Sequence, residues 1–451
     1  MKTSISIIRF QNRLAKRWLL AIAATALPLA INSQTPTPLS LTLSECREMA
    51  LTHNEELQKA DNNLRKAELD KAIALTSYLP TIDGSAVGAY IVEDIDIMGM
   101  KMQMKGTYMA GLSLTQPLYA GGKIIAGNKL ARIGAECADE TRRKTRMQVI
   151  ADADNAYWTF LATTRKIAML ESYCRQIDTL YRTTEVSVQA QMATPNDLLR
   201  IKAKRSEINY QLQKARNGVN LCRLALCHII GADLETPITA IDTVIAITPP
   251  LGLDADISQR PELILLQKQV EAQQQQIKMT RADMLPTAGL SIGYTYYGNI
   301  KLQGITTDPT GNPIPYTQKF EDGFTVGMVS VSIPILHWGA NFKKIKQSRL
   351  QLRNAELDLS QNRRLLSIEA QQARQNLSEG YAMIETANLG CQQARENLRV
   401  MQDRYRQHMS SLTDLLDAQS QWQQAESNLI EAQTQYKIYE TEFRRTTGRL
   451  E

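Results

Sequence analysis

The residue patterns that carry most enzyme chemistry are missing from this sequence. It holds no G-x-S-x-G, no phosphate-binding P-loop, no H-E-x-x-H and no glycine-rich dinucleotide turn. Those spacings bring a nucleophile, a phosphate or a metal ion to its catalytic partners. The four histidines are also isolated from one another. We therefore predict that the protein is not an enzyme and binds no cofactor.

Methionines offer one route to a soft metal site. Met98, Met100, Met102 and Met104 alternate along the chain, and thioether sulfurs can bind Cu(I). The same alternation is what a β-strand with one apolar face requires. We favour the strand and predict no metal site.

The cysteines do not form a metal-binding pattern either. No C-x-x-C pair occurs, and the cysteines are spread through segments of helical character, so a zinc site is not expected. Two interpretations stay open: small side chains packed on helices, or a disulfide formed in an oxidising compartment. The six positions are Cys46, Cys137, Cys174, Cys222, Cys227 and Cys391.

The N-terminal segment has the layout of a secretory signal peptide. A basic region ends at Arg17, and an apolar run follows from Trp18 to Ile31. We predict that residues 1–33 are a signal peptide and that the mature protein is exported. The formal charge of +6 includes five basic residues of this segment, which contains no acid. The mature chain is nearly neutral, so a nucleic-acid partner is not expected.

Long helices are predicted where prolines are missing. All fifteen prolines fall outside four stretches: residues 39–79, 118–194, 196–236 and 335–451. Because proline disrupts a helix interior, these stretches can each hold a long helix. From Leu415 to Phe443, apolar residues recur at alternating spacings of three and four, which is the heptad pattern of a coiled coil. A helix from about Gly122 to Gln191 would span ~100 Å.

The second half of the sequence repeats the first. At an offset of 217 residues, Pro117 aligns with Pro334 and Gly231 with Gly448. We predict an internal duplication, in which each copy contains a helix, a β-hairpin, a long helix and a further helix. The predicted parts are residues 34–236 (hairpin about 83–118), an equatorial linker at 237–256, and residues 257–451 (hairpin about 287–335).

The hairpins have the length of membrane-crossing strands. Apolar residues from Ala288 to Tyr296 alternate with small or polar ones, and so do those from Tyr108 to Leu114. Four strands of about 10 residues fit a tilted strand that crosses a bilayer. Four strands cannot close, since the smallest membrane barrels have about eight. The strands of several copies must therefore combine, as eight in a dimer or twelve in a trimer.

Several motifs resemble those of one protein family, the outer-membrane efflux channels of TolC type. The similar segments are Leu41-Thr42-Leu43-Ser44-Glu45, Tyr78-Leu79-Pro80-Thr81, Gln116-Pro117-Leu118-Tyr119 and Arg260-Pro261-Glu262-Leu263. The resemblance implies a mainly α fold with a membrane β-barrel: a homotrimer with a 12-stranded barrel in outer-membrane lipid and a coiled-coil helical barrel in the periplasm.

The same resemblance implies a function and partners. The protein would be the outer-membrane channel of a tripartite efflux or secretion system in a Gram-negative cell. Its partners would be a periplasmic adaptor (membrane fusion) protein and an inner-membrane transporter, and the cargo stays open. The alternative is a periplasmic coiled-coil adaptor or structural protein without a pore. Two equivalent helical hairpins, each with a strand pair, argue against that alternative.

Site residues are carried over from the family by position. Asp414 and Asp417 match an acidic ring at the periplasmic mouth, and Asp197 and Tyr405 match contacts that hold the mouth closed. The predicted adaptor-docking turns contain Thr194, Pro195, Ser411 and Leu412. The alternative for Asp197 and Asp414 is helix capping, which can coexist with the ring.

Three positions depart from the family pattern. Ser410 stands where the best-known member has a gating arginine, and Gln191 and His408 stand where glycines mark the turns. The closed state would then need other contacts, with Arg404 or Arg406 as candidates.

Overall fold

The computed structural model describes residues 39–97, 100–242, 245–250 and 252–450. The predicted signal peptide, Met98 and part of the predicted linker lie outside the described residues. The helices are α1 (Leu43–His53), α2 (Glu55–Thr76), α3 (Lys123–Gln189), α4 (Pro195–Ile230), α5 (Pro261–Ala282), α6 (Ala340–Arg406) and α7 (Leu412–Thr446). The strands are β1 (Leu39–Leu41), β2 (Thr81–Tyr90), β3 (Ile95–Ile97), β4 (Met100–Gln103), β5 (Lys105–Ala120), β6 (Ile238–Ala240), β7 (Thr287–Thr307) and β8 (Pro313–Ser332).

Two helices of equal length dominate the fold. Both α3 and α6 have 67 residues, which corresponds to ~100 Å. Each starts after a glycine in the left-handed region, Gly122 with φ 84° and Gly339 with φ 76°. Glycine adopts that conformation without the steric cost of a Cβ atom, so the chain can turn sharply from strand into helix. Helix α6 begins 217 residues after α3, at the offset of the sequence repeat.

The helices pack side by side in one layer. Near the strands the order of contacts is α2, α3, α5, α6, and towards the opposite end it is α4, α3, α7, α6. The shorter helices thus stack in pairs beside the two long ones. Helix α6 forms one edge of the layer, and α2 with α4 forms the other. Among the described residues, no helix combines the length and apolar character needed to cross a membrane.

A single antiparallel sheet continues from the helices. Its long strands lie in the order β2, β5, β7, β8, and the β7–β8 pairing runs from Thr287–Ser332 to Thr307–Pro313. Among the described strands, β2 pairs only with β5 and β8 only with β7. The sheet therefore has two unpaired edges within one chain.

The prediction of four strands per chain was too low. Between β2 and β5 the chain folds back as the short β3–β4 hairpin, and β4 pairs with the outer part of β7. Met100 and Met102 lie in β4, in the strand conformation that their alternation predicted. The parallel pair of β1 and β6 was also not predicted, because a strand of three residues is too short to show a period.

A buried ion pair holds three helices together near the middle of the layer. The Asp154 side chain is fully buried on α3, and Arg47 of α1 donates to both its carboxylate oxygens at 2.6 Å. Thr441 Oγ1 of α7 donates to Asp154 Oδ2 at 2.6 Å. The charge of Asp154 is therefore compensated entirely by groups from other helices.

The cysteines are all free thiols in this structure. Cys46 and Cys227 are buried in the core formed by α1, α3, α4 and the β1–β6 pair. Burial raises the pKa of Cys46 to about 12. Within one chain the cysteines pack as small side chains, which is the first of the two interpretations.

Candidate functional site at the helical turns

The two turns that join the long helices to α4 and α7 have the same backbone geometry. Gln191 (φ 55°) and His408 (φ 57°) occupy the left-handed region without being glycine. The next residue in each turn donates its amide to a carbonyl of the preceding helix, Met192 to Ser187 and Met409 to Arg404, both at 2.8 Å. These bonds satisfy helix-terminal carbonyls in the Schellman pattern. The turns are therefore ordered although both glycines are absent.

Each turn leads into a helix with a complete capping box. Thr194 Oγ1 donates to Asp197 Oδ2 at 2.8 Å, and the Asp197 amide donates back to Thr194 Oγ1 at 3.2 Å. Ser411 and Asp414 repeat this arrangement at 2.7 and 3.2 Å. The Ser411 hydroxyl and amide hold the pKa of Asp414 below its usual value. Both carboxylates thus cap helices, and Asp414 keeps a stabilised negative charge at the surface.

Asp417 differs from Asp414 in having no internal partner. Its side chain is exposed and makes no hydrogen bond or ion pair with any residue in the described ranges. It lies three residues after Asp414, on neighbouring positions of the same helix face. Two negative charges therefore lie near the N-terminus of α7, where the helix dipole favours them.

The predicted gate contact is not made within the chain. Tyr405 packs against Leu398 and Leu415, while the Asp197 carboxylate is held by Thr194. No hydrogen bond between Tyr405 and Asp197 occurs among the described residues. The role of this pair in closing the mouth stays a prediction.

Sequence reasoning missed the contacts that join the two turns. Arg200 Nη1 of α4 donates to Thr413 Oγ1 of α7. Leu412 is only 5% exposed and packs with Tyr173, Ile177 and Ile201. The Leu412 side chain is therefore unavailable for docking a partner, unlike those of its exposed neighbours Thr194, Pro195 and Ser411. The sequence did contain a signal for the burial of Leu412. This residue lies three positions before Leu415, the first apolar residue of the heptad pattern.

The packing above the turns contains buried polar atoms without partners. Tyr173 Oη, Gln419 Oε1 and Trp422 Nε1 have no hydrogen-bond partner in the described part of the chain. Each such atom costs ~1–3 kcal/mol relative to a satisfied one. The α3–α7 contact near the turns is therefore less stable than an apolar interface of the same size.

The comparisons with known proteins agree with this architecture. The outer membrane efflux protein family matches residues 46–232 and 253–449, once in each half of the sequence. The chain belongs to the outer membrane efflux protein family. This confirms the predicted TolC-like family and the prediction that the protein is an outer-membrane efflux channel. The family consists of efflux channels rather than enzymes.

Curated relatives of this efflux protein are distant but extensive. The outer membrane efflux protein BepC of Brucella suis is 22% identical over 367 residues, which cover 81% of this chain and 74% of BepC. The probable efflux pump outer membrane protein TtgC of Pseudomonas putida is 22% identical over 403 residues, which cover 86% of this chain and 79% of TtgC.

Solved structures share the fold of this efflux protein. CusC has a TM-score of 0.74 at 15% identity, with 90% of this chain and 92% of CusC covered. The CmeC outer membrane channel of Campylobacter jejuni has a TM-score of 0.74 at 18% identity, with 90% and 85% covered. The mainly helical channel fold is therefore confirmed.

Proposed function

We propose that three copies of this efflux protein close into one channel across the outer membrane and the periplasm. Each copy would supply four long strands to a 12-stranded barrel. Each copy would also consist of two duplicated halves, residues 34–236 and 257–451, joined by the linker 237–256. The open sheet is the main support for a trimer. Among the described strands, β2 and β8 leave both edges of this sheet unpaired, and such edges pair readily with another chain.

One face of the sheet has the character of a lipid-facing surface. Ile82, Leu112, Val329 and Val331 are all 61–70% exposed in one chain. The cross-strand pairs put them on a common face with Leu290 and Ile292, while Ser113, Gly289 and Ser291 share the other with the apolar Val326 and Met328. A continuous apolar face next to the helices is typical of the lipid-facing side of a membrane barrel.

The edges of the helical layer complement each other. Helix α6 exposes Phe342 and Leu350 with Lys346 between them, and α2 exposes Leu69 and Ile73. Asp70 lies beside Leu69, six residues before the end of α2, and Lys346 lies six residues after the start of α6. Both positions are ~9 Å from the sheet ends of their helices. In a trimer, Lys346 would therefore meet Asp70 of the next copy.

Asp70→Lys should weaken the trimer because it places two like charges at this contact. We expect a lower temperature at which the detergent-extracted trimer dissociates during electrophoresis. Adding Lys346→Glu should restore the wild-type temperature, since it recreates an opposite pair. Glu235→Lys, the same charge change in the loop after α4, serves as the matched control. A molecule that migrates as one copy before and after heating would contradict the trimer.

The exposed ends of α4 and α7 would form the periplasmic mouth. We infer that Thr194, Pro195 and Ser411 face a periplasmic adaptor protein, which links the channel to an inner-membrane transporter. Supporting this, they are exposed at ordered turns ~100 Å from the sheet. Threefold symmetry would arrange Asp414 and Asp417 as two stacked acidic rings, which concentrate cations.

Asp417→Asn should reduce cation selectivity while leaving the helix cap intact, because Asp417 has no partner among the residues that the structure describes and Asp414 keeps its bonds to Ser411. The wild-type trimer in planar lipid bilayers should conduct and prefer cations. We expect the variant's reversal potential in a KCl gradient to move towards zero. Glu235→Gln, a neutralisation at the other end of α4, should leave that potential unchanged. Equal potentials for wild type and Asp417→Asn would reject the ring.

A further inference from the structure

Strands β7 and β8 are twice as long as a membrane requires. β7 has 21 residues and β8 has 20, whereas a tilted membrane strand needs about 9–11. Residues 287–296 of β7 already supply that length next to the helices. The remaining residues of both strands therefore extend beyond the lipid tails on the outer side.

A tyrosine cluster marks where the apolar face ends. Tyr108 Oη donates to Glu321 at 2.8 Å, and Tyr296 Oη donates to the same carboxylate at 3.3 Å. The two rings have centroids 6.2 Å apart. Side chains alternate along β8, so Glu321 shares its face with Val329 and Val331. Tyrosines at the end of an apolar, lipid-facing surface are typical of the membrane–water interface.

Two lysines lie directly beyond these tyrosines on the same face. Lys319 is two residues past Glu321 along β8, and Lys301 of β7 is its cross-strand partner. Like charges directly opposite each other destabilise a sheet. Neither lysine forms an ion pair with any described residue. Within the described part of the chain, this pair therefore has no ion-paired carboxylate.

The charged groups around this pair are already engaged. Gln103 lies opposite Lys301 on β4 and donates to Asp94 at 3.0 Å. Asp94 forms an ion pair with Lys105 at 3.3 Å, and Asp96 is the cross-strand partner of Lys101. Glu321 is held by the tyrosines. The lysine pair thus remains a local excess of positive charge on the lipid-facing side.

We propose that Lys301 and Lys319 bind the phosphate groups of anionic lipids in the outer leaflet. The proposal rests on the proposed function, because only a membrane-inserted barrel turns this face towards lipid. Lys301 is five residues beyond Tyr296, about 12 Å along the membrane normal for a strand tilted by about 45°. A lysine side chain can reach back from there into the headgroup layer. One phosphate between the two ammonium groups would remove their repulsion.

The test measures binding of diphosphoryl lipid A to the purified detergent-solubilised trimer by native mass spectrometry. A basic residue near a membrane surface contributes about 1 kcal/mol, so Lys301→Gln with Lys319→Gln should weaken binding roughly 30-fold. Lys301→Arg with Lys319→Arg should keep it within about 3-fold of wild type. Lys202→Gln with Lys214→Gln, on α4 far from the sheet, is the matched control and should bind like wild type.

Several outcomes would overturn the proposal. Unchanged lipid A binding by a glutamine double variant that still forms the heat-modifiable trimer would refute the lysine site and leave the channel intact. Displacement of the lipid by millimolar inorganic phosphate would show a site for free anions instead. If the wild-type chain formed no conducting trimer, the proposed function would fail first and this inference with it.

Discussion

Asp154→Ala should lower the free energy of unfolding by ~3–5 kcal/mol, because it leaves Arg47 with an uncompensated charge between helices. Asp154 is fully buried, and its two oxygens accept three hydrogen bonds from α1 and α7. Alanine removes all three and leaves a cavity. The loss should appear as a lower midpoint in thermal unfolding of the detergent-solubilised protein, followed by circular dichroism.

A double variant shows whether the loss of stability in Asp154→Ala comes from the unpaired charge of Arg47 or from lost packing. In Arg47→Met with Asp154→Leu, both charges are replaced by apolar groups of similar volume, and such replacements are often neutral or stabilising. We expect most of the lost stability to return. A double variant as unstable as Asp154→Ala alone would mean that the site depends on its shape and not on its charge.

Gly448→Ala should be a second strongly destabilising change, by about 3 kcal/mol. Gly448 has φ 73°, and a Cβ atom there would lie 2.5 Å from the Gln259 carbonyl oxygen and 2.9 Å from the Arg260 amide. Both contacts are with backbone, which cannot rotate away. The cost combines strain in the left-handed region with overpacking. Arg260 would be displaced from its 2.7 Å ion pair with Glu369.

The same substitution at Gly390 should act in the opposite direction. Gly390 lies inside α6, and a Cβ atom there meets nothing within 4 Å. Alanine favours the helix over glycine by up to about 1 kcal/mol. Gly390→Ala should therefore raise the thermal midpoint that Gly448→Ala lowers. Equal shifts for the two variants would contradict the steric explanation.

Much of the fold could be predicted because its signals are local. The absence of proline and the heptad spacing placed the long helix at about Gly122 to Gln191, and the structure has Lys123–Gln189. What could not be predicted are pairings between distant segments. The contact of β1 with β6 joins residues about 200 apart, and the β3–β4 hairpin depends on pairing with β7. The alternating methionines predicted the strand conformation of β4, but no local pattern in the sequence shows which distant segment a strand will pair with.

At the candidate site, too, local features could be predicted and contacts between distant segments could not. The spacing of Thr194 and Asp197, like that of Ser411 and Asp414, is a capping pattern, and the capping boxes are present. The burial of Leu412 and the bond from Arg200 to Thr413 arise from packing between two separate hairpins. The heptad spacing, extended by three residues, indicates the burial of Leu412, but it does not show which side chains of separate hairpins meet, so the contact of Arg200 with Thr413 could not be predicted.

The equal length of α3 and α6 restricts how the protein can evolve. Both end in a sharp turn at the same distance from the sheet. Seven extra residues in one helix alone would push its tip ~10 Å past the other. A change of reach therefore requires matching insertions at two distant sites of the gene, together with matching growth of α4 and α7. We expect natural variants to differ in span only in such coordinated steps.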